Sequence, residues 1–222
     1  LGARLHPVDV MATDRAVALL EEWADGYLDE ADAEVKAEIV ARLGRLPLAI
    51  RLAGDQLRRQ DPAVWLARFD ARRLASRRPE DVHDNLFRTF ALSLDDLAAD
   101  DRRCYTALAI FPEDEAIPFA ALTKLWGALE AIDGVAVGDL MYDLADRALV
   151  QMEAPNPDAG CSEPALVLHD LLRDFIAAEL GEPGVRRAHR ALLDAYRRTT
   201  QPSNVPTSQR ADGPFLWSSV PD

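Results

Sequence analysis

The sequence is poor in lysine, histidine and cysteine, and it lacks the common motifs of catalytic, nucleotide-binding and metal-binding sites. Neither Lys36 nor Lys124, its two lysines, follows a glycine, so there is no G-x-x-x-x-G-K-[ST] phosphate loop. The motifs G-x-G-x-x-G, H-E-x-x-H, G-x-S-x-G and C-x-x-C are also absent, and the four histidines are scattered. We therefore expect neither a catalytic residue nor a metal ligand in this chain.

Two further absences concern cysteines and long apolar runs. Cys104 and Cys161 are too few and too far apart for a disulfide framework or a zinc site, which favours two free thiols in an intracellular protein. No segment approaches 18 uninterrupted apolar residues, and no basic segment precedes an apolar run. The sequence thus predicts a cytoplasmic protein without a membrane span or a signal peptide.

The formal net charge of -13 disfavours general binding to nucleic-acid phosphates. Residues 41–80 are the exception, with 10 basic and 4 acidic residues, whereas residues 81–150 carry 5 and 14. Arg42, Arg45 and Arg51 belong to this basic stretch. They are interpreted first as a solvated face, and alternatively as a latch that pairs with the acidic surface of residues 81–150.

Residues 1–78 have the pattern of a small four-helix bundle. Thr13 is the expected N-cap of the first helix, Gly44 follows the second, Pro47 begins the third, and Asp61 caps the fourth. Apolar residues recur at helical spacing, and in the fourth helix three of them are expected to point inward: Val64, Trp65 and Phe69.

Residues 79–198 have the pattern of a winged-helix domain, with a polar linker expected at 73–84. Four helices are expected first: one that carries Leu86, Phe90 and Leu94 on one face, one at about 100–111 that stops at Pro112, one running from Pro118 to Gly127, and one at about 137–147. A short β-hairpin of residues 148–152 and 165–168 follows, and then two more helices. We expect a mainly α fold, in which residues 199–222 form a linker and the start of a truncated second helical module.

Three segments, in order, resemble the NB-ARC family of STAND signalling ATPases, which includes apoptotic protease-activating factor. Gly44-Arg45-Leu46-Pro47-Leu48-Ala49-Ile50 is similar to the family's "GLPLA" motif. Ser93-Leu94-Asp95-Asp96-Leu97 and Ile110-Phe111-Pro112-Glu113-Asp114 are similar to its "S-x-D-x-L…IFPED" segment. Leu168-His169-Asp170 is similar to its "MHD" motif, with Leu in place of Met. Together they suggest a bacterial relative.

The resemblance implies that the chain is a regulatory part of a larger protein. It begins at Leu1 rather than Met, and the family's nucleotide-binding domain, with its phosphate loop and magnesium-binding aspartates, would lie upstream. In the family, the helical and winged-helix domains close over ADP, and exchange for ATP allows self-association. We expect this chain by itself to fold, to bind ADP poorly and not to hydrolyse ATP.

The resemblance also implies the ligand contacts of individual residues. Pro47, with Leu46 and Leu48 beside it, would pack against the adenine ring, and His169 would contact the β-phosphate of ADP. Asp170 is the expected N-cap of the helix that follows His169. We expect Arg173, one turn further on, to be exposed to solvent. Ala148 departs from apoptotic protease-activating factor, which has a serine near the nucleotide at this position.

Two other functions remain as alternatives. Winged helices often bind DNA, but the helix expected from Pro118 offers only Lys124 to a phosphate backbone. The third possibility is a helical adaptor that presents interaction surfaces and never holds a nucleotide.

Overall fold

The computed structural model describes residues 10–28, 30–72, 84–113, 115–155 and 163–200. Within these residues the chain forms helices and one small antiparallel sheet. The helices are α1 (Thr13–Ala24), α2 (Ala33–Arg42), α3 (Pro47–Leu57), α4 (Pro62–Ala71), α5 (Asp84–Asp95), α6 (Ala99–Ala107), α7 (Phe119–Glu130), α8 (Gly134–Asp146) and α9 (Asp170–Thr200). The strands are β1 (Ile117–Pro118), β2 (Gln151–Glu153) and β3 (Ala165–Val167).

Helices α1 to α4 form the expected bundle, and α3 is its most buried member. Gly54 of α3 lies so close to α1 that an added Cβ atom would come within 2.5 Å of the Trp23 Cβ atom. As predicted, Pro47 and Pro62 begin their helices, and the Asp61 carboxylate accepts hydrogen bonds from two backbone N–H groups of α4.

Two local predictions for the bundle are wrong. Thr13 is the first helical residue and Ala12 occupies the N-cap, so α1 has no side-chain cap. Val64 is 53% exposed, whereas Trp65 and Phe69 are fully or nearly buried. The α4 helix is ten residues long and buries only these two aromatic residues, which leaves Val64 on its outer face.

Helix α5 joins the bundle to the rest of the chain through a buried polar network. The Gln56 side chain accepts a hydrogen bond from the Trp65 indole N–H at 2.6 Å. Its amide group donates to the Ser93 hydroxyl at 2.6 Å and to the Thr89 carbonyl at 2.9 Å. Gln56, Ser93 and Thr89 are all less than 5% exposed. Because buried hydrogen bonds are directional, this network fixes α5 against α3 and α4.

The remaining elements form a winged-helix arrangement. Helices α6, α7 and α8 precede the β2–β3 hairpin, and β1 pairs with β3 to give the strand order β1-β3-β2. The Trp126 indole donates to the Cys104 carbonyl at 2.8 Å, and the Tyr105 hydroxyl donates to the Leu149 carbonyl at 3.0 Å. Burial raises the pKa of the Cys104 thiol to about 12. The predicted fold class, mainly α with a helical unit and a winged-helix unit, is confirmed.

Several boundaries of the predicted elements differ from the structure. Residues 148–150 form a turn, so strand β2 begins only at Gln151. Helix α7 continues through Gly127 to Glu130, and its C-cap residue, Ala131, adopts the left-handed conformation with φ of 55°. Strand β1 was not predicted, since two residues give no alternating pattern.

The two predicted C-terminal helices are confirmed, and α9 comprises both of them, on either side of a kink. Gly181 has φ of 67° and ψ of 165° inside α9, and Pro183 begins the second half, where its missing N–H group is tolerated. The expected linker, residues 73–84, lies outside the described residues as far as residue 83, and Asp84 is instead the first residue of α5. Of the expected tail, residues 199–222, Thr199 and Thr200 instead end α9, and residues 201–222 lie outside the described residues. The predicted domain boundaries stay predictions. No described helix is long and apolar enough to cross a membrane.

The Gln56 network makes a testable contribution to stability. Replacing Gln56 with Leu leaves the buried Trp65 indole N–H without a partner, so we expect a loss of about 2–4 kcal/mol in the free energy of unfolding. Urea denaturation followed by tryptophan fluorescence measures this loss. Gln151→Leu, at an exposed position of β2, is the control. Equal unfolding midpoints for the two variants would show that the network contributes nothing.

Candidate functional site

Two of the predicted site residues line one small cleft. The cleft lies where the first turn of α3, the turn between α8 and β2, and the first turn of α9 meet. Its volume is about 10 Å³, the space of a single water molecule. Its lining residues are Leu48, Arg51, Ala148, Leu149, Val150, Gln151, His169 and Leu172.

The α3 side of the cleft is shaped by the backbone before Pro47. Gly44 and Arg45 have φ of 65° and 55°, which reverses the chain after α2 and sends it into α3. Leu46 occupies the N-cap position, and Pro47 is the first helical residue. Pro47 is exposed, whereas Leu46 and Leu48 are half-buried. Pro47 and Leu46 are not among the residues that line the cleft, and Pro47 is an exposed, rigid apolar ring next to Leu48 in the chain.

The α9 side of the cleft is formed by His169, whose imidazole is 39% exposed. The imidazole Nδ1 atom lies 2.5 Å from the Asp170 carboxylate and 3.2 Å from the Leu171 backbone nitrogen. An Nδ1 atom without a proton accepts from Leu171, whereas an Nδ1–H group, which one of the two neutral tautomers also has, donates to Asp170. The imidazole is therefore held beside two polar groups of the first turn of α9.

The prediction that Asp170 is the N-cap is wrong by one residue. Helix α9 begins at Asp170, and the His169 carbonyl accepts the first hydrogen bonds of the helix from Leu172 and Arg173. His169 therefore holds the capping position itself. The Asp170 carboxylate accepts from the Leu171 N–H at 2.6 Å instead.

The expectation that Arg173 is exposed to solvent is also wrong. Its Nε atom donates to the Phe111 carbonyl at 2.8 Å, and its Nη1 atom lies 2.8 Å from the Glu113 carboxylate. The side chain is only 24% exposed. Arg173 thus connects the first turn of α9, which follows the Leu168-His169-Asp170 motif, to the Ile110–Asp114 motif after α6.

Ala148 is buried and lines the cleft with a left-handed backbone, at φ of 57°. A non-glycine residue in this conformation carries about 1 kcal/mol or more of backbone strain. The turn is held by backbone hydrogen bonds from Ala148 to Ala145 and from Leu149 to Leu144. The alanine methyl group offers no hydrogen bond to a ligand.

Arg51 is a cleft residue that was interpreted from the sequence only as part of a basic face. Its guanidinium lies 4.4 Å from the centre of the Trp23 ring, and its buried Nε atom has no hydrogen-bond partner. The available signal was its spacing, because Arg51 follows Leu48 by three residues and therefore shares its side of α3.

The alternative interpretation of Arg42, Arg45 and Arg51 as a latch is correct about the two stretches that pair and wrong about the arginines that form the pairs. Arg42 pairs with Glu38 and Asp70 inside the helical bundle, and Arg51 packs on Trp23. Other arginines of the basic stretch reach across to residues of the acidic stretch. They form the pairs Arg58–Asp146 at 3.1 Å, Arg68–Asp96 at 2.7 Å and Arg72–Asp95 at 3.0 Å. Such surface pairs are individually weak.

Helix α8, not α7, occupies the position that recognises DNA in helix-turn-helix proteins. Helices α7 and α8 are the two helices of the motif, and α8 is the second. Its exposed stripe carries Val135, Asp139, Tyr142 and Asp146, and the helix contains no lysine or arginine. An acidic stripe repels the phosphate backbone, which disfavours the DNA-binding alternative.

No group of three or more His, Cys, Asp or Glu residues is placed to hold a metal ion in the part of the chain that the structure describes. The chain therefore belongs to a structural class in which a helical bundle and a winged-helix unit meet at a cleft, here between α3 and α9. No protein-family profile matches the chain.

The chain is distantly homologous to proteins of the NB-ARC (STAND) family, and the resemblance found in the sequence is confirmed. It is 28% identical over 210 residues to a probable disease resistance protein of Arabidopsis thaliana, covering 90% of this chain and 25% of that protein. It is 30% identical over 208 residues to the regulatory protein AfsR of Streptomyces griseus, covering 89% of this chain and 20% of AfsR. The chain therefore spans about a quarter or less of these relatives.

The Arg173 contacts predict a measurable effect on stability. Arg173→Met removes charge-assisted hydrogen bonds between α9 and the Phe111–Glu113 segment, and we expect the free energy of unfolding to fall by about 1–2 kcal/mol. Urea denaturation measures the change. Arg186→Met, which removes an exposed pair with Glu182 elsewhere on α9, is the control and should change little. An Arg173→Met midpoint equal to that of this control would contradict the prediction.

The buried carboxylate of Asp55 predicts a pH dependence. Burial raises the pKa of Asp55 above its usual 3.8, although the nearby Arg59 opposes this shift. A carboxyl whose pKa is raised by folding lowers stability as the pH rises through its unfolded and folded values. Relative to Asp55→Asn, the natural protein should therefore lose stability from about pH 3.8 upward.

Urea denaturation of both proteins between pH 3.5 and 6 tests this sign. Asp139→Asn, at an exposed position of α8, is the control. A natural protein that gains stability relative to Asp55→Asn as the pH rises would show that attraction to Arg59 outweighs burial.

Proposed function

We propose that this chain is the regulatory lid of a nucleotide-switched STAND ATPase. In the proposal, Pro47, Leu46 and Leu48 pack against the adenine ring of ADP, and His169 contacts its β-phosphate. Closure of the two units over ADP holds the protein inactive, and exchange for ATP separates them and allows self-association. The observation that carries this proposal is that Leu48 and His169, from opposite ends of the chain, line the same cleft.

The chemistry of the cleft suits a nucleotide. Pro47 offers a flat apolar ring that loses no side-chain entropy on binding, and it is exposed beside the half-buried Leu48. His169 stands at the N-terminus of α9, where the helix dipole favours an anion. A protonated imidazole would form a charge-assisted bond to a phosphate oxygen. Arg51 brings a second positive group to the same cleft, with a buried Nε atom that has no partner.

The small volume of the cleft bears on the mechanism. A space of about 10 Å³ does not admit an adenine ring, so ADP would lie across the rim, between this chain and an upstream nucleotide-binding domain. That domain would supply the phosphate loop and the magnesium ion, and it is the proposed partner of this chain. The partly exposed Arg58–Asp146 pair between the end of α3 and α8 is weak enough to break when the nucleotide changes, while the buried Gln56 network keeps α5 on the bundle.

The parent protein would accordingly be a cytoplasmic P-loop ATPase, and this chain alone would have no ATPase activity. The nucleotide-independent adaptor remains the competing function, and the same experiment decides between the two. The acidic stripe of α8 disfavours the DNA-binding alternative, because it repels the phosphate backbone.

The proposal is tested by the nucleotide content of the full-length protein. The purified protein is denatured, and the released nucleotide is identified by ion-exchange chromatography. We expect about one ADP per chain, and a loss of most of it in His169→Leu, because the contact to the β-phosphate is removed. His189→Leu, at an exposed position of α9, should retain the ADP.

Two results would contradict the proposal. Absence of ADP from the natural protein would leave the adaptor function, and equal retention by His169→Leu would remove His169 from the site. The 222-residue chain alone is the companion sample, in which we expect poor ADP binding and no ATP hydrolysis.

A further inference from the structure

A second cleft, distinct from the one that contains His169, is lined only by polar residues. Its volume is about 280 Å³, and its lining consists of Arg59, Gln60, Arg68, Asp96 and Arg147. Three arginines and a single aspartate therefore line one space, in a protein whose formal net charge is -13. The cleft lies at the junction of the two units, because Arg59 and Arg68 belong to the bundle and Arg147 follows α8.

Existing ion pairs hold these arginines but leave many of their N–H groups unused. Arg147 uses Nε for Asp143, at 2.7 Å, and Arg59 uses Nη2 for the buried Asp55. Arg68 uses its two Nη atoms for Gln60 and Asp96. Each guanidinium carries five N–H donors, so among the described residues most of those on Arg59 and Arg147 have no partner. The side chains are held in place while donors remain for a ligand.

The polar and charged side chains that line this cleft indicate the chemical class of its ligand. None of its lining residues has an apolar side chain, although the carbon atoms of these residues still contribute apolar surface. Several arginine donors that approach from different elements match an oxyanion with acceptor oxygens in several directions, and phosphate has this geometry. We propose that the cleft of Arg59, Gln60, Arg68 and Arg147 binds a phosphate oxyanion, either free or as the end of a phosphorylated small molecule.

Because of the position of this cleft, a bound anion would contact both the bundle and the turn between α8 and β2. Arg147 lines the phosphate cleft, and the next residue, Ala148, lines the cleft of Leu48 and His169. Arg59 and Leu48 lie near opposite ends of α3, about 16 Å apart along the helix axis. An anion bound to Arg59, Arg68 and Arg147 joins the bundle to the α8–β2 turn, and it therefore stabilises the closed arrangement of the two units.

Thermal unfolding of the 222-residue chain tests the proposal. The probes are inorganic phosphate, pyrophosphate and phenyl phosphate, each compared with sodium chloride at equal ionic strength. At about ten times the dissociation constant, a bound probe should raise the midpoint by about 3–5 °C. A larger shift with phenyl phosphate than with inorganic phosphate identifies a phosphorylated small molecule as the ligand, and the reverse order identifies a free anion.

Variants locate the site. Arg147→Gln and Arg68→Gln each remove one guanidinium whose carboxylate partner is partly exposed, so both should fold. Each should raise the dissociation constant for pyrophosphate, measured by calorimetry, about tenfold or more. Arg186→Gln, on the exposed surface of α9, is the matched control and should bind as the natural chain does.

Pyrophosphate binding to this cleft should not depend on the proposed nucleotide site. His169→Leu should leave the pyrophosphate affinity unchanged, since His169 does not line this cleft. Equal midpoints in phosphate, pyrophosphate, phenyl phosphate and chloride would overturn the proposal. So would pyrophosphate binding that persists in both Arg147→Gln and Arg68→Gln, or that disappears in His169→Leu.

Discussion

The buried side chain of Gln56 is the contact on which the arrangement of the two units depends. It accepts from Trp65 of α4 and donates to Thr89 and Ser93 of α5, so three helices share one amide group. Helix α5 then reaches the winged-helix unit through Phe90, whose ring packs edge-to-face on Phe175 of α9 at 5.0 Å. Because a buried amide must keep its partners, the bundle cannot rotate on α5 without a large cost.

Both candidate clefts are consequences of this fixed arrangement. The first turns of α3 and α9 meet at the strained turn around Ala148, and the basic end of α3 meets Arg147 on the other side of that turn. The contacts between the units differ in character, with a buried and directional network at α5 and partly exposed ion pairs elsewhere. The weaker contacts are those that a ligand can strengthen or release.

Sequence reasoning succeeded where the signal was local and failed where a distant partner decided the outcome. Pro47, Pro62 and Asp61 begin or cap helices because their backbone preferences act over a few residues. Arg173 was expected in solvent, yet its partners are a carbonyl and a carboxylate on the segment after α6. The exposure of Val64 likewise depends on which face of α4 the other helices cover.

The sequence by itself determined the helices, the hairpin and the relationship to NB-ARC proteins, since these rest on periodicity, turn residues and short motifs. Only the tertiary structure decided that Leu48 and His169 line one cleft, that Arg58 and Arg68 form the ion pairs between the units, and that three arginines surround a second cleft. These results depend on packing between distant segments, and the residues on the two sides carry no local signal of one another.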